Sequence, residues 1–214
     1  MIADRLKRVQ ARIEAVDKNQ QVTLIAVSKT KPIADLQQAI NAGQRHFGEN
    51  YLQEALDKIE VLQGQGLIWH FIGAIQSNKT QQIAQHFDWV QSVDRLKIAK
   101  RLNQQRPENL PKLKVLLQIN IDNEPSKSGV LTNEINEIIP HFDELQNLTL
   151  RGFMCIPNPD NAAQSFTKMN NIRQQYPDLS VLSMGMSHDL ESAIENGASF
   201  VRIGTDIFGE RKLI

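Results

Sequence analysis

Apolar residues recur along the chain in two alternating patterns, one with helical spacing and one in short continuous runs. The opening segment places apolar residues on one helical face, at Ile2, Leu6, Val9, Ile13 and Val16. A run rich in β-branched residues follows at 22–28 and predicts a buried strand. After Pro32 the helical spacing returns and ends near Gly43, with proline as a start signal and glycine as a stop signal.

The same alternation continues through the rest of the sequence. Helical patterns separate further strand-like runs, which lie at 46–50, 67–73, 89–93, 114–121, 148–156, 180–185 and 200–204. Two of these helices are predicted roughly over 162–175 and over 189–197. Alternating strands and helices imply a parallel sheet with right-handed crossovers.

The number of strand-helix units, about eight after an initial helix, suits a closed barrel. A typical barrel has about 250 residues, so 214 residues would make a lean one. The rival is an open doubly wound sheet, which usually has fewer strands. We therefore predict an α/β protein with a single domain over 1–214, a (β/α)₈ TIM barrel with an extra N-terminal helix.

Composition and charge narrow the functional classes. Lys and Arg total 24 and Asp and Glu total 24, and this balance disfavours nucleic-acid binding as the main role. A single cysteine, Cys155, cannot build a disulfide framework and favours a reducing compartment. The N-terminal segment has no apolar stretch for a signal peptide, and no segment approaches the roughly 20 apolar residues of a membrane span. We expect a soluble cytoplasmic protein with neither nucleic-acid nor membrane partners.

In a parallel barrel the site lies at the carboxyl ends of the strands. Lys29 directly follows the first predicted strand, where desolvation and neighbouring cations can lower a lysine pKa and favour condensation with an aldehyde. Ser187 precedes a predicted helix and Gly204-Thr205 follows the last strand, so two amide-rich turns could together hold a phosphate. The alternatives are a solvated loop lysine and two turns that only cap helices, with Ser187 as a helix cap.

Other reactive residue types give weaker signals. The five histidines form no HxH or HExxH pair, so no metal site is predicted. His70 is interpreted as a hydrogen-bonded interior histidine and Cys155 as a packed small residue. Lys31 and Lys127 are interpreted as solvated. The glycines near 64–73 lack the strand-GxGxxG-helix arrangement of a dinucleotide site.

Several longer strings of the sequence are distinctive. They are LIAVSKTKP (24–32), HFGEN (46–50), WHFIGAIQSNK (69–79), SVDR (92–95), SKSG (126–129) and LSMGMSHDLESAIENGASFVRIGTDIFGER (182–211). Together they resemble the pyridoxal phosphate homeostasis family, whose members bind pyridoxal 5'-phosphate (PLP). The resemblance covers nearly the whole chain. Ala74 departs from the proline of many relatives, and His188 occupies a variable position; neither removes a proposed contact. The resemblance implies a fold-type III PLP barrel, similar to the N-terminal domain of alanine racemase.

The resemblance also implies a set of cofactor-binding residues. They are Lys29, Asn50, Met186, Ser187, Arg202, Gly204 and Thr205. Lys29 would hold PLP covalently as an internal aldimine, and Ser187 with the Gly204-Thr205 turn would bind the phosphate. Arg202 would face the pyridine nitrogen, and the other two residues would line the ring.

Two functions remain open for such a site: holding PLP without catalysis, and catalysing the racemisation or decarboxylation of amino acids. An arginine cannot accept the proton of the ring nitrogen, and an unprotonated ring is a poorer electron sink. Enzymes of this fold type generally resemble a barrel plus a second β-rich domain, whereas eight units use up this sequence. Neither tyrosine, Tyr51 or Tyr176, is an obvious second acid or base.

We therefore expect a protein of intracellular PLP (vitamin B6) homeostasis that has no catalytic residues and holds PLP without substantial catalysis. The alternative is a PLP-dependent amino-acid racemase or decarboxylase. The expected partners are PLP and, transiently, PLP-dependent apoenzymes. The missing second domain favours a monomer.

Overall fold

A computed structural model describes residues 1–19 and 21–210 of the chain. The described strands are β1 (Thr23–Val27), β2 (His46–Glu49), β3 (Ile68–Phe71), β4 (Trp89–Val93), β5 (Leu113–Ile119), β6 (Leu148–Cys155), β7 (Val181–Ser183) and β8 (Phe200–Ile203). The described helices are α1 (Ile2–Val16), α2 (Ile33–Asn41), α3 (Leu52–Val61), α4 (Thr80–His86), α5 (Leu96–Gln105), α6 (Ile135–Ile138), α7 (Ala162–Gln174), α8 (Leu190–Glu195) and α9 (Thr205–Phe208). The helix α1 precedes the barrel, as the periodicity predicts.

The eight strands of the described ranges close into a parallel barrel in sequence order, which confirms the predicted fold and excludes the open sheet. Closure occurs between β1 and β8, which are paired from Thr23 with Phe200 to Ala26 with Ile203. This register places the residues that follow both strands side by side at one end of the barrel. The turn containing Lys29 and the turn containing Gly204 are therefore neighbours, although 175 positions separate them in the sequence.

Side chains alternate between the inside and the outside of the barrel, because successive strand residues point to opposite faces. On β5, Leu116 belongs to the small cluster inside the barrel, while Val115 and Leu117 belong to the large cluster between strands and helices. The inner cluster consists of Ile25, Trp89, Leu116, Met154, Val181 and Phe200. These side chains fill the barrel below the strand ends that carry the site.

The predicted strands extend slightly too far at their carboxyl ends. The runs 46–50, 148–156 and 200–204 end as strands at Glu49, Cys155 and Ile203. The next residue in each case, Asn50, Ile156 or Gly204, lines a cavity at this end of the barrel. The sequence pattern does not mark where each strand ends, and in the structure these three residues line the cavity.

The helical segment after β5 is short and is flanked by 3₁₀ turns. Only Ile135–Ile138 is α-helical, between 3₁₀ turns over Thr132–Glu134 and Ile139–Glu144. Pro140 lies in the second turn and has no amide hydrogen to continue an α-helix. Across the described ranges, each helix is too short or too polar to cross a membrane.

Candidate functional site

A cavity of about 280 Å³ opens among the carboxyl ends of the strands. Its lining residues are Val27, Lys29, Asn50, Ile72, Ile156, Met186, Ser187, His188, Arg202, Gly204 and Thr205. All seven residues expected from the sequence to bind a cofactor belong to this set. The fold thus brings them together from four separate parts of the chain, although their binding role stays a prediction.

Lys29 lies in a tight turn that fixes where its side chain starts. The preceding residue, Ser28, is fully buried and its hydroxyl donates to Glu49 Oε1 at 2.6 Å. The following residue, Thr30, has a positive φ of 62° and donates its amide to Glu54 Oε1 at 2.6 Å. The Lys31 amide donates a hydrogen bond to the Ser28 carbonyl at 3.1 Å, which closes the turn. Lys29 itself is half-buried at the cavity wall.

The two carboxylates that hold this turn share a buried cation, which sequence reasoning missed. Lys58 on α3 lies 2.7 Å from Glu49 Oε1 and 2.6 Å from Glu54 Oε1, and it also donates to the Ser28 carbonyl. Burial raises the pKa of Glu49, and the charge of Lys58 opposes that rise. The available signal was the i,i+4 spacing of Glu54 and Lys58, which usually indicates only a surface pair.

Arg202 is the buried cation of the cavity, with 5% of the residue exposed. Its Nη1 donates to Ser183 Oγ at 2.7 Å and its Nη2 to the Cys155 carbonyl at 2.9 Å. Burial lowers the pKa of this guanidinium, and Asp189 opposes that effect. The two bonds use donors on both terminal nitrogens, so they fix the plane of the group. The sequence did not predict the role of Ser183.

Asn50 offers an acceptor to the cavity. Its Oδ1 atom is buried and accepts no hydrogen bond from the described residues. The backbone of Asn50 is held closely by the loop after β3, because a Cβ atom on Gly73 would lie 2.1 Å from the Asn50 carbonyl oxygen. Only glycine fits this approach. Since a buried polar atom without a partner costs free energy, Oδ1 is suited to a donor supplied by a ligand.

Two turns, one after β7 and one after β8, line the same cavity. Gly204 lies at the N-cap position of α9, which begins at Thr205, and the first amides of a helix have no carbonyl partner within it. Ser187 does not cap α8, so the alternative in which Ser187 serves as a helix cap is wrong. Asp189 takes that position, and its Oδ1 accepts the Met186 amide at 2.6 Å, so the turn is closed without the Ser187 hydroxyl. Ser187 is left to line the cavity.

Other residues singled out in the sequence lie elsewhere. His70 is fully buried and hydrogen-bonded inside the barrel, as expected. Cys155 is also fully buried, and burial raises the pKa of its thiol to about 12. Lys31 is not simply solvated, because it donates to the carbonyls of Phe208, Gly209 and Glu210. Lys127 pairs with Glu124 at 2.8 Å, which also corrects the expectation.

The described residues contain no group of three or more His, Cys, Asp or Glu side chains able to hold a metal ion.

Residues 2–212 match the family model described as "Alanine racemase, N-terminal domain". The chain is 48% identical over 226 residues to the pyridoxal phosphate homeostasis protein of Escherichia coli, covering 98% of this chain and 97% of that protein. It is 51% identical over 221 residues to the protein of the same name in Pseudomonas aeruginosa, covering 98% and 96%.

Solved structures of similar proteins have the same fold. PipY of Synechococcus elongatus, determined with PLP bound, superposes with a TM-score of 0.87 at 36% identity, covering 98% of this chain and all of that one. Alanine racemase from Corynebacterium glutamicum superposes with a TM-score of 0.73 at 15% identity, over 99% of this chain and 61% of the racemase. At that identity the second likeness concerns the fold alone.

Proposed function

The chain belongs to the family of pyridoxal phosphate homeostasis proteins, and from this we propose that it binds PLP in the cavity at the strand ends and serves PLP homeostasis. PLP supplies an aldehyde that condenses with primary amines and a pyridine ring that can accept electrons. The observation that carries the proposal is the convergence of Lys29, Arg202 and the Ser187 and Gly204-Thr205 turns on one cavity.

The residues present fit this group. The volume of about 280 Å³ is near the lower end of ligand pockets, which begin at about 300 Å³. The unpartnered Oδ1 of Asn50 can accept a hydrogen bond from a ring hydroxyl. The amides that begin α9, with Thr205 and Ser187, are suited to a phosphate dianion. Lys29, at the wall between β1 and β2, supplies a primary amine for a covalent Schiff base with the aldehyde.

Arg202 is better suited to a protein that binds the cofactor than to an enzyme that forms a carbanion on it. Its guanidinium carries donors only, so it can donate to an unprotonated ring nitrogen but cannot accept a proton from a protonated one. The bonds to Ser183 and Cys155 keep the guanidinium in place. An unprotonated ring stabilises a carbanion less, and we therefore propose a protein that holds and hands over PLP without substantial catalysis.

The tyrosines do not supply the second acid or base that a racemase of this design would need. Tyr51 is 51% exposed and is absent from the lining of the cavity. Tyr176 donates to Asn136 Oδ1 at 2.5 Å and packs against Phe153. The racemase or decarboxylase alternative keeps one supporting observation, the likeness of the barrel to alanine racemases.

Reduction with borohydride tests the cofactor and the lysine together. We expect the holoprotein to absorb visible light and, after reduction and digestion, to carry the added mass on the peptide containing Lys29. Lys29→Ala should lose both signals, while Lys31→Ala and Lys79→Ala should keep them. Persistence of both signals in Lys29→Ala would refute the assignment of the lysine, and failure of the wild type to bind PLP would refute the proposed function.

Incubation of the holoprotein with each L-amino acid tests the carrier role. We expect no D-isomer and no amine above the rate given by free PLP, and turnover above that rate would establish the enzyme instead. We further propose that the protein acts in the cytoplasm as a monomer and contacts PLP-dependent apoenzymes only transiently. Transfer of PLP to an apoenzyme in the presence of an aldehyde trap for free PLP would test that contact.

A further inference from the structure

A line of hydrogen bonds crosses the inside of the barrel from the start of β2 to Arg202 on β8. His46 Nδ1 lies 3.0 Å from His70 Nε2, and His70 Nδ1 lies 2.9 Å from Gln91 Nε2. Ser183 Oγ donates to Gln91 Oε1 at 2.6 Å, and Arg202 Nη1 donates to Ser183 Oγ at 2.7 Å. Five strands thus contribute one side chain each to a continuous chain that ends at the cofactor cavity.

The guanidinium of Arg202 sets the direction of every bond in this chain. Arginine has no acceptor, so Ser183 Oγ must accept from it, and the serine hydrogen is then donated to Gln91 Oε1. The amide nitrogen of Gln91 therefore faces His70 and donates to its Nδ1. A neutral imidazole that accepts at Nδ1 carries its proton on Nε2, and this proton is donated to His46 Nδ1.

Apolar side chains seal the middle of the chain from water. His70 is fully buried, stacks on Trp89 with ring centroids 5.7 Å apart, and meets the ring of Phe200 edge-on at 5.5 Å. Burial holds the pKa of His70 well below its ordinary value, and the nearby His46 and Lys114 act in the same direction. At the outer end, Asp88 and Lys114 are the charged groups that influence His46, with opposite effects on its pKa.

The continuity of the hydrogen-bond chain depends on Gln91. Its amide oxygen accepts from Ser183, while its amide nitrogen donates to His70. A carboxylate at this position could accept from Ser183 but could not donate to His70 Nδ1. A leucine could do neither. Gln91 does not line the cavity, and its hydrogen-bonded connection to the cavity runs through Ser183 and Arg202.

We propose that Gln91 is a positioning residue for Arg202, and that the one-way hydrogen-bond chain couples His46, at the opposite end of the barrel, to the orientation of the guanidinium in the cavity. The effect of Arg202 on PLP rests on the proposed function, whereas the hydrogen-bond chain itself is a property of the cofactor-free protein. The hydrogen-bond chain thereby holds the Arg202 guanidinium in one orientation toward a ring nitrogen.

Nitrogen-15 NMR of the cofactor-free protein tests the hydrogen-bond chain without any ligand. We expect His70 to be the neutral tautomer with its proton on Nε2. We also expect the guanidinium resonances of Arg202 to shift in Gln91→Leu and in His46→Phe. The matched control is His86→Phe, because His86 is an exposed histidine on α4 that bonds only to the Gln82 carbonyl of its own helix. It should leave Arg202 unchanged.

Two results would overturn the proposal: a His70 protonated on Nδ1 in the wild type, or Arg202 resonances that stay in place in His46→Phe. The second readout remains decisive if Gln91→Leu fails to fold, because His46 is only half-buried. In the holoprotein we expect Gln91→Leu to weaken PLP binding roughly tenfold, as for the disturbance of one charge-assisted bond. Loss of PLP binding by the wild type would refute the proposed function while leaving the NMR result intact.

Discussion

Arg12 on α1 donates a 2.9 Å hydrogen bond to the backbone carbonyl of Ser187, 175 positions further along the chain. The same guanidinium reaches Glu191 on α8 at 2.7 Å and Asp206 on α9 at 2.6 Å. The hydrogen bond to Glu191 is the main reason that the pKa of Arg12 is raised. One side chain therefore ties the N-terminal helix to both turns that are proposed to bind phosphate.

Arg12→Leu should weaken PLP binding about fivefold to tenfold, because the Ser187 turn loses its anchor while the cavity keeps all its lining residues. The cost in folding free energy should be only about 1 kcal/mol, because Arg12 and Glu191 are each more than a third exposed and solvent screens the pair. Absorbance titration with PLP and urea unfolding measure the two effects.

The matched control for this variant is Arg8→Leu, which removes an exposed arginine from the same helix. It should change neither quantity appreciably. Equal losses of PLP affinity in the two variants would mean that α1 acts by general charge and that the contact with Ser187 is unimportant.

Lys58→Met should destabilise the fold by about 3 to 5 kcal/mol, since it leaves Glu49 buried without its cation. The side chains of Lys58 and Glu49 are 4% and 0% exposed, so water cannot replace the lost partner. The turn that carries Lys29 should loosen as well, because both of its carboxylate anchors share this lysine. Urea unfolding and the rate of PLP attachment report these effects.

Lys97→Met on α5 is the control, since it removes an exposed lysine. The double variant Lys58→Met with Glu49→Leu should recover a large part of the lost stability, because it removes the uncompensated charge. A single Lys58→Met variant as stable as the Lys97→Met control would contradict the role assigned to the cluster.

Much of the fold follows from local pattern, because a buried parallel strand and an amphipathic helix each leave a period of their own in the sequence. The pattern located all eight strands, and it erred by a residue or two at their ends, as at Asn50 and Gly204, where the strand gives way to the cavity wall.

The sequence pattern could not reveal the residues that hold the cavity-lining residues in place. Arg12 looks like any charged position on an amphipathic helix, and Lys58 looks like half of a surface ion pair. Gln91 lies within an apolar run and has a role only because β7 places Ser183 beside it, 92 positions away. The contacts of Arg12 and Gln91 depend on how distant segments of the chain pack together, which no local spacing encodes. The residues that line the cavity were found because the strand ends and the family strings marked them.

Cys155 should resist modification in the folded protein despite being the only thiol of the chain. It is fully buried, and burial raises the pKa of its thiol to about 12, so almost no thiolate exists at neutral pH. We expect no reaction with a thiol reagent at pH 8 over hours, and one equivalent of reaction in denaturant. Rapid labelling of the native protein would show that the barrel opens near Arg202.

Acid should destabilise the fold through His70. Burial holds its pKa well below 6.5. Below about pH 6.5, His70 therefore binds a proton in the unfolded chain but stays neutral in the folded protein. Stability should therefore fall as the pH drops from about 6.5 toward the folded pKa, by up to about 1.4 kcal/mol per pH unit for this group. His70→Gln can still accept from Gln91 and donate to His46 but cannot titrate, so it should flatten this slope in urea unfolding between pH 7 and pH 5. His86→Gln, which removes an exposed histidine, should retain the wild-type slope; a slope that is the same in both variants would assign the acid sensitivity to other groups.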